Sequence, residues 1–277
     1  MYFAPDQVTV ERDGKSKITS ALSAEGKQLK HAIERMSKSK GNGVDPDEMV
    51  EIYGADAARL FVMFAAPIEN ELVWNEAGIE GAVRFLQRVW RQVLRWQTAA
   101  AVSSTSDAGT ARTLRQKTHQ TIKRVGDSFE SLQFNTPVAA LMELSNAIGD
   151  IDANTADEDT KAAVHEALTA LVLMLTPFAP HTAEELYAEL TGDDAGMIAQ
   201  GARFPEFNAE LAKADEIEIA VQVNGKLRAR LLAAPDASDG DLEKMAFEDA
   251  KVREYTDGKD VIKVVVVPKR LVNIVVR

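Results

Sequence analysis

Cysteine is absent from this 277-residue chain, and histidine is scarce. Without cysteine the protein can form neither disulfides nor thiolate zinc sites, which excludes the small cysteine-stapled folds of secreted proteins. The four histidines are too far apart in sequence to suggest a zinc pair: His31, His119, His165 and His181. We therefore expect no metal ion held by the protein itself.

Long hydrophobic runs are also missing. No stretch approaches the roughly 18 apolar residues that a membrane-spanning helix needs. Met1 is followed by neither the basic segment nor the apolar segment of a secretion signal. Hydrophobic residues still make up 45% of the chain, which is ample for a core. We expect a cytoplasmic protein with no membrane partner, built as one large domain or as a few small ones.

Positive charge is outweighed overall, because the formal net charge is −11. The excess acid is concentrated in residues 125–215, which carry 17 acidic and 3 basic side chains. Residues 69–124 carry 5 acidic and 9 basic ones, and the two ends of the chain are close to neutral. Because local patches decide association with nucleic acid, the overall charge does not exclude an RNA partner.

One basic, glycine-containing stretch occupies residues 35–46. It reads Arg-Met-Ser-Lys-Ser-Lys-Gly-Asn-Gly-Val-Asp-Pro. Its lysines suit phosphate groups, and its glycines let the backbone approach a ligand closely. Asp45 and Pro46 are typical of a helix N-cap followed by proline at the first helical position. A basic loop leading into a helix N-terminus is suited to holding an anion, although a solvated loop would also explain the charges.

This stretch resembles the Lys-Met-Ser-Lys-Ser signature loop of class I aminoacyl-tRNA synthetases, with Arg35 in place of the first lysine. The resemblance implies that the loop closes over ATP, with Mg²⁺ expected in the intact enzyme. It also implies that Lys38 is the catalytic lysine, because a pre-placed cation stabilises the transferring phosphates. The implied ATP-binding loop consists of Arg35, Met36, Ser37, Lys38, Ser39 and Lys40.

The residues around this loop predict parts of a larger domain. Alternating stretches at 8–11 and 18–22 predict a hairpin, and residues 1–34 are expected to be part of a β-rich insertion. After Pro46 the pattern becomes helical, and Gly54 is expected to separate two helices. Residues 35–68 would then be the end of the catalytic domain. The run Tyr53–Phe61 is similar to the segment that follows the signature loop in class I synthetases, and core packing is the simpler explanation of it.

A long helix is predicted to begin after Asn75. Apolar side chains recur at intervals of three and four and predict one buried face: Ile79, Val83, Leu86, Trp90, Val93 and Leu94. Arginines repeat at the same spacing on a separate, exposed stripe: Arg84, Arg88, Arg91 and Arg95. Such a stripe is either a solvated face or a surface for the phosphates of a folded RNA. These arginines are therefore candidate tRNA-binding residues.

Residues 69–191 predict an antiparallel helical bundle. Asn135 is the expected N-cap of one helix, with Pro137 in its first turn. Thr182 and Glu185 are the expected capping box of another. The strings Phe-Asn-Thr at 134–136 and Pro-Phe-Ala-Pro-His at 177–181 resemble the anticodon-binding bundle shared by leucyl, isoleucyl, valyl and methionyl enzymes.

Residues 192–215 are irregular and predict a linker, and residues 216–277 predict a small α+β tRNA-binding domain. Asn224 and Gly225 mark a tight turn between two alternating strands. The cations of this hairpin are expected together on one face, as the second group of candidate tRNA-binding residues: Lys226, Arg228 and Arg230. A helix from about Ser238 to Tyr255 and two further strands complete this prediction.

The fold class that these patterns predict is mainly α. A signature-loop segment of the catalytic domain precedes the antiparallel bundle, and a small α+β domain follows it. The run Val-Gln-Val-Asn-Gly-Lys at 221–226 and the closing residues 269–276 are similar to the C-terminal domain of bacterial-type leucyl-tRNA synthetases. The His-x-Gly-His signature of class I enzymes, which lies on their nucleotide-binding fold, is missing from the sequence.

The resemblance therefore implies the C-terminal part of a leucine–tRNA ligase, an enzyme that activates leucine with ATP and transfers it to tRNA. We expect this part to contribute the ATP-contacting loop and the tRNA-binding modules, and to be inactive alone. Its expected partners are a leucine-acceptor tRNA and an N-terminal synthetase half. The alternative is a free-standing tRNA-binding protein derived from a synthetase.

Overall fold

The computed structural model describes residues 8–12, 18–67, 69–97, 109–213, 217–234 and 237–277. The chain divides into two compact units, Met1–Ala212 and Lys213–Arg277. Helices dominate the described part of the first unit, and a four-stranded sheet with helices forms the second. The prediction of a mainly helical protein with a small sheet portion is confirmed.

The first unit begins with a hairpin and continues through a series of helices. The strands are β1 (Val8–Arg12) and β2 (Ile18–Ser23), and the helices are α1 (Pro46–Tyr53), α2 (Ala55–Ala65), α3 (Glu76–Trp96), α4 (Gly109–Glu130), α5 (Asn135–Gly149), α6 (Glu158–Leu175) and α7 (Pro180–Thr191). β1 pairs antiparallel with β2, as predicted, and Val10 lies opposite Ala21. The residues that connect the two strands, 13–17, lie outside the described residues.

Helices α2 to α7 share one hydrophobic core. Each contributes large apolar side chains that are almost completely buried, among them Leu60, Ile79, Ile122, Leu141, Leu168 and Leu186. Burial of one such side chain contributes roughly 1.5–3 kcal/mol. Tertiary packing of these apolar faces, more than helix propensity, therefore stabilises the helices.

Helix α2 approaches α3 closely at Gly78. A β-carbon at that position would lie 2.6 Å from Cε2 of Phe61, so only glycine fits without a shift of the ring. Phe61 also packs edge-on against Trp74, with 5.1 Å between the ring centroids. The helix pair that follows the basic loop is thus anchored on the first long helix of the unit.

The buried face of α3 differs in part from the predicted one. Trp90 and Leu94 are exposed, at 37% and 45%, whereas Phe85, Val89 and Trp96 are buried. At about 100° per residue the buried side chains centre near Ala82 and Val93, so that Trp90 falls at the edge of that face and Leu94 falls beyond it. The arginine stripe lies on the opposite side of the helix, as predicted.

Two helix starts also differ from prediction. Helix α5 begins at Asn135 itself, so this asparagine occupies the first helical position and Phe134 precedes it without a side-chain cap. Helix α7 begins at Pro180 after Ala179, so Thr182 lies inside the first turn and forms no capping box with Glu185. The residue that caps α7 instead comes from α2.

The segment predicted to be a linker packs first on α7 and then on α4. Met197 is buried and its amide donates to Glu184 of α7, and Arg112 of α4 donates hydrogen bonds to the carbonyls of Leu211 and Glu210. Gln120 donates to the carbonyl of Ala212. Residues 192–212 therefore belong to the first unit, and the unit boundary lies at 212–213.

The second unit covers one face of its sheet with helices. Its elements are β3 (Ile217–Val223), β4 (Lys226–Ala233), α8 (Asp239–Glu248), α9 (Ala250–Thr256), β5 (Val261–Val267) and β6 (Leu271–Val276). The strand order is β4-β3-β6-β5, in which β3 and β6 run parallel and the other neighbours antiparallel. Ile219, Val272 and Ile274 are fully buried between sheet and helices.

The single helix predicted for residues 238–255 is two helices. Asp249 lies between α8 and α9 with extended backbone (φ −66°, ψ 128°), and its carboxylate accepts from the amides of Lys251 and Val252. Ser238 and Asp241 form a capping box at the start of α8. Asp249 favours this break because a short side-chain acceptor offers the backbone an alternative to continuing the helix.

Within the described ranges, no helix is both long enough and apolar enough to cross a membrane. Nor do the described residues bring together three or more side chains of the metal-ligating types.

Candidate nucleotide loop and cationic surfaces

The basic loop is shaped by contacts among its own residues. Asn42 accepts a hydrogen bond from the amide of Ser37 at 2.8 Å and donates one to the carbonyl of Arg35 at 3.4 Å. Residues Lys38–Lys40 form one turn of 3₁₀ helix, which Gly41 ends at φ 61°. Glycine occupies this left-handed conformation without steric cost. A single asparagine thus closes the loop around the Lys-Ser-Lys turn.

The two lysines of the turn have different surroundings. Lys40 forms an ion pair with Glu34. Lys38 is exposed, and its side chain forms no hydrogen bond or ion pair with any described residue. An uncommitted ammonium at the tip of a turn is available to a phosphate. Lys38 is therefore the lysine of this turn that is available to a phosphate, whereas Lys40 is already paired.

The loop leads directly into α1. The carboxylate of Asp45 accepts a hydrogen bond from the amide of Asp47 at 3.0 Å, and Pro46 occupies the first helical position. This cap and proline are as predicted. Gly54, at φ 86°, separates α1 from α2, also as predicted. None of the residues of α1 is buried.

Helix α2 is joined to the start of α7 by a buried carboxylate. Asp56 is only 7% exposed. Its Oδ2 accepts from the amide of Thr182 at 2.6 Å, and its Oδ1 lies 2.9 Å from Nδ1 of His181. Arg59, one turn later, donates to the carbonyl of Pro177 at 3.1 Å. Asp56 therefore acts as the N-cap that α7 does not supply for itself.

The pKa of Asp56 reflects this position. Burial of the carboxyl raises its pKa, but the hydrogen bonds from Thr182 and His181 outweigh burial, so the pKa lies below its usual value of 3.8. The carboxylate is thus charged at neutral pH, where it also matches the positive end of the α7 dipole. Sequence reasoning missed this role, because the partner helix lies more than a hundred residues away.

The arginine stripe of α3 is exposed at three of its four positions. Arg84 and Arg95 form ion pairs of 3.5 Å with Glu80 and Asp152, and their side chains stay 68% and 48% exposed. The side chain of Arg91 has no ion pair or hydrogen bond among the described residues. Exposed pairs of this kind contribute little, so these three guanidinium groups remain accessible to another anion.

Arg88 is the exception in the stripe. Its Nε donates to the hydroxyl of Ser145 on α5 at 3.1 Å, and its guanidinium lies 5.6 Å from the ring centroid of Phe85. The neighbouring Gln92 is buried and donates to the carbonyl of Ser145. Arg88 therefore connects α3 to α5.

The cations of α4 are held within the molecule. Lys117 and Arg124 both contact Glu143, at 2.7 and 3.0 Å, and the pKa of that carboxyl is lowered, mainly by the bond from Lys117. Arg115 contacts Glu166 at 3.0 Å and is buried. Lys123 pairs with Asp127 on its own helix. The ion pairs of α4 are thus shorter, at 2.7–3.0 Å, than the 3.5 Å pairs of Arg84 and Arg95 in the α3 stripe.

The cations of β4 do not share one face. The pairing register of β3 and β4 shifts between Val221 and Gln222, because Val221 lies opposite Ala229 and Gln222 opposite Leu227. Arg228 is the extra residue of this bulge, and its guanidinium stacks 3.8 Å from the ring centroid of Tyr255 on α9. Arg230 instead forms an ion pair with Glu218 at 2.6 Å. The prediction of one cationic face is therefore wrong: Arg228 contacts α9, and Lys226 lies opposite Val223 whereas Arg230 lies opposite Ala220, on the other face of β3.

Two family models match this chain. Residues 24–75 match the model described as tRNA synthetases class I (I, L, M and V). Residues 111–245 match the model described as the anticodon-binding domain of tRNA ligase. The first match contains the basic loop and the Asp56 contact. The second contains α4 to α7.

Relatives in three bacteria match the chain over nearly its whole length. Each is a leucine–tRNA ligase: that of Vibrio campbellii is 44% identical over 99% of the chain, that of Hahella chejuensis 43% over 100%, and that of Geobacter sp. (strain M21) 45% over 93%. The chain spans 31–32% of the length of these relatives.

A solved structure shares the fold. The ternary complex of Agrobacterium radiobacter K84 agnB2 LeuRS, tRNA and LeuAMS superposes with a TM-score of 0.69 at 28% identity. The superposition covers 87% of this chain and 31% of that one.

Proposed function

The chain is homologous along its whole length to the C-terminal part of leucine–tRNA ligases, and from this we propose that it supplies the ATP-contacting loop and the tRNA-binding modules of such an enzyme. The observation that carries the proposal is Lys38. It is an exposed ammonium without a partner among the described residues, held on a turn that Asn42 and Gly41 shape. A protein that only bound RNA would have no use for it.

The proposed role of Lys38 is electrostatic. ATP-dependent activation of leucine develops negative charge on the departing pyrophosphate, and a cation already in place stabilises that charge. Arg35, Met36, Ser37, Ser39 and Lys40 complete the proposed ATP-binding loop. Mg²⁺ would accompany ATP and neutralise part of the triphosphate charge. Leucine binding and nucleotide binding need the remainder of the enzyme, so we expect the chain alone to be inactive.

Exposed apolar side chains favour this proposal over a free-standing tRNA-binding protein. Between residues 33 and 73, Ile33, Ile52, Val62 and Val73 are each more than half exposed. Apolar side chains exposed at several positions of one segment favour a surface that another domain or protein covers. An N-terminal synthetase half is a partner of the right kind, whereas a self-contained RNA-binding protein leaves these side chains without a role.

We propose that α3 to α7 form the anticodon-binding-type bundle and that tRNA lies along the arginine stripe. Arg84, Arg91 and Arg95 would contact phosphates, and Arg88 would support them from its contact with α5. In the second unit, Lys226 and Arg230 would contact RNA, while Arg228 would hold the strand against Tyr255. The cytoplasm, where translation takes place, is the compartment we expect.

The proposed role of Lys38 in leucine activation is tested by supplying the N-terminal part of a related enzyme. The N-terminal two-thirds of the Hahella chejuensis relative would be supplied as a separate chain, and leucine-dependent ATP–pyrophosphate exchange measured. Lys38→Ala should lower the exchange rate by about 10²–10³-fold, the scale for one lost transition-state contact. Lys244→Ala, an exposed lysine of α8, is the matched control and should leave the rate unchanged. A wild-type rate for Lys38→Ala would remove the loop from the reaction.

The RNA role is tested on this chain alone. Arg84→Ala/Arg95→Ala should weaken binding of a leucine-acceptor tRNA transcript. Each lost phosphate contact reduces the slope of log affinity against log salt by about 0.7–0.9. Lys123→Ala/Lys161→Ala removes the same charge from α4 and α6, outside the arginine stripe, at lysines that are ion-paired as Arg84 and Arg95 are, and should change the slope little. Equal slopes for both double variants would reduce the stripe to a solvated face.

A further inference from the structure

A groove lies beside the arginine stripe, where the end of α1, the middle of α3 and the start of α7 meet. Its volume is about 360 Å³. Its apolar lining includes Tyr53, Val83, Leu86 and Trp90, and Gln87 and Arg91 add polar groups. All of these residues belong to the first unit.

The side chains of this groove suit a flat aromatic ligand that carries negative charge. Trp90 is 37% exposed. A tryptophan that only filled the core would instead be buried, so part of this ring is available to a ligand. Tyr53 supplies a second ring. Indole and phenol faces stack on nucleobases regardless of their sequence, with a worth of about 1–3 kcal/mol per base. The amide of Gln87 can both donate to and accept from the edge of a base.

The positive charge beside the groove indicates that this ligand is a nucleotide of the bound RNA. Arg91 lines the groove and is also the member of the arginine stripe that has no partner among the described residues. Phosphates along the stripe would therefore bring a nucleotide of the same strand to the mouth of the groove. Bases inside a duplex have both faces covered by neighbouring base pairs, so the base that enters the groove must be unpaired.

We propose that this groove holds one unpaired base of the bound tRNA, stacked on Trp90, with its phosphate on Arg91. The inference rests on the proposed tRNA-binding function and makes it more specific. The stripe binds RNA through phosphates, in duplex or single strand alike. The groove adds a contact that only a looped or bulged nucleotide can make.

The test compares two RNA probes on the full chain. One is a leucine-acceptor tRNA transcript, and the other is a fully paired 12-base-pair RNA duplex. Trp90→Leu keeps the groove apolar but removes the stacking surface, and should weaken tRNA binding by roughly 5- to 150-fold, as expected for one lost base stack. The slope against salt should stay unchanged, because no phosphate contact is lost. Duplex affinity should also stay unchanged.

Two matched variants sharpen the result. Trp90→Phe keeps an aromatic ring and should recover most of the tRNA affinity. Arg91→Gln should weaken binding of both probes and reduce the salt slope of each by about 0.7–0.9. Circular dichroism establishes that each variant is folded. Wild-type tRNA affinity in Trp90→Leu would overturn the inference, and so would an equal loss for tRNA and duplex.

Cross-linking covers the case in which Trp90→Leu does not fold. The wild-type chain, irradiated with tRNA that contains 4-thiouridine, should yield RNA-linked peptides from residues 83–91 or from Tyr53, and their absence would overturn the inference. A second outcome would also overturn the inference: the N-terminal part of the Hahella chejuensis relative, added without tRNA, shields Trp90 from acrylamide quenching. The groove would then bind that part of the enzyme and not an RNA base. Absence of any tRNA binding by the wild-type chain would overturn the proposed function itself.

Discussion

The first turns of α1 and α7 are both capped by an aspartate, but the two caps have different origins. Asp45 precedes α1 and caps its own helix. Asp56 lies in α2 and caps α7, with Thr182 as its partner 126 residues further along the chain. The same chemistry, a carboxylate that accepts from an unsatisfied amide, is local in one case and long-range in the other.

The surroundings of the two carboxylates differ as well. Asp45 is exposed, so water can replace it at the amide of Asp47. The carboxylate of Asp56 is only 9% exposed, and its contacts with Thr182 and His181 are partly buried. An amide that loses its partner in a partly buried contact bears more of the cost of desolvation than an exposed amide does. The long-range cap should therefore contribute more to stability than the local one.

Replacement of Asp56 should have the largest effect. Asp56→Ala is expected to lower the free energy of unfolding of the first unit by about 2 kcal/mol, because it leaves the partly buried amide of Thr182 without its acceptor. Urea denaturation followed by circular dichroism measures this change. Amide hydrogen exchange should also speed up at the first turn of α7 and in α2. A loss no greater than that of Asp45→Ala would mean that the two caps are equivalent.

Acid should reduce the contribution of Asp56 by a smaller amount. Because the folded-state pKa lies below the usual 3.8, the stabilising contribution is present above that usual value and is lost as pH falls through the folded-state pKa. Asp56→Asn keeps an acceptor but not the charge, and should be less stable than the wild type at pH 7 by about 1 kcal/mol.

Denaturation of the wild type and Asp56→Asn at pH 7 and at pH 3 measures this difference. The gap between them should narrow at the lower pH, because the wild-type carboxyl is then closer to its neutral form. A constant gap would show that the charge of Asp56 contributes nothing to the contact.

Replacement of Asp45 should have the smallest effect. Asp45→Ala removes an exposed cap, for which roughly 0.5–1 kcal/mol is typical. Faster hydrogen exchange should be confined to the first turn of α1 and the basic loop before it. Faster exchange in α7 as well would show that the two caps are coupled, and the local description of Asp45 would then fail.

The comparison also explains which features the sequence could predict. Asp45 and Pro46 lie next to the helix that they start, so their role is visible in the order of residues. The hairpin turn at Asn224 and Gly225 is predictable for the same reason. The capping box expected at Thr182 and Glu185 has the right local pattern, but Asp56 already occupies that amide from another helix.

Strands are less predictable than helices in this chain. The 3.6-residue period of α3 predicted that its arginines lie on a separate exposed face, and the centre of the buried face differs from the prediction by enough to leave Trp90 and Leu94 exposed. In β4 one inserted residue turns Arg228 to the other face of the sheet, because side chains alternate at every position. The sequence around Arg228 does not predict the bulge. Its stacking partner, Tyr255, is distant in the chain.

The packing of residues 192–212 on α4 has a consequence for dissecting this chain into modules. Nδ1 of His119 on α4 accepts a hydrogen bond from the amide of Asn208. Its Nε2 lies 3.2 Å from Glu166 on α6 and therefore donates to that carboxylate. The imidazole thus connects residues 192–212 to α4 and α6. A version of the helical unit that stopped at residue 191 would leave His119 without one of its two partners. The transferable modules are therefore 1–212 and 213–277, and gene fusions or domain exchanges should join at that point.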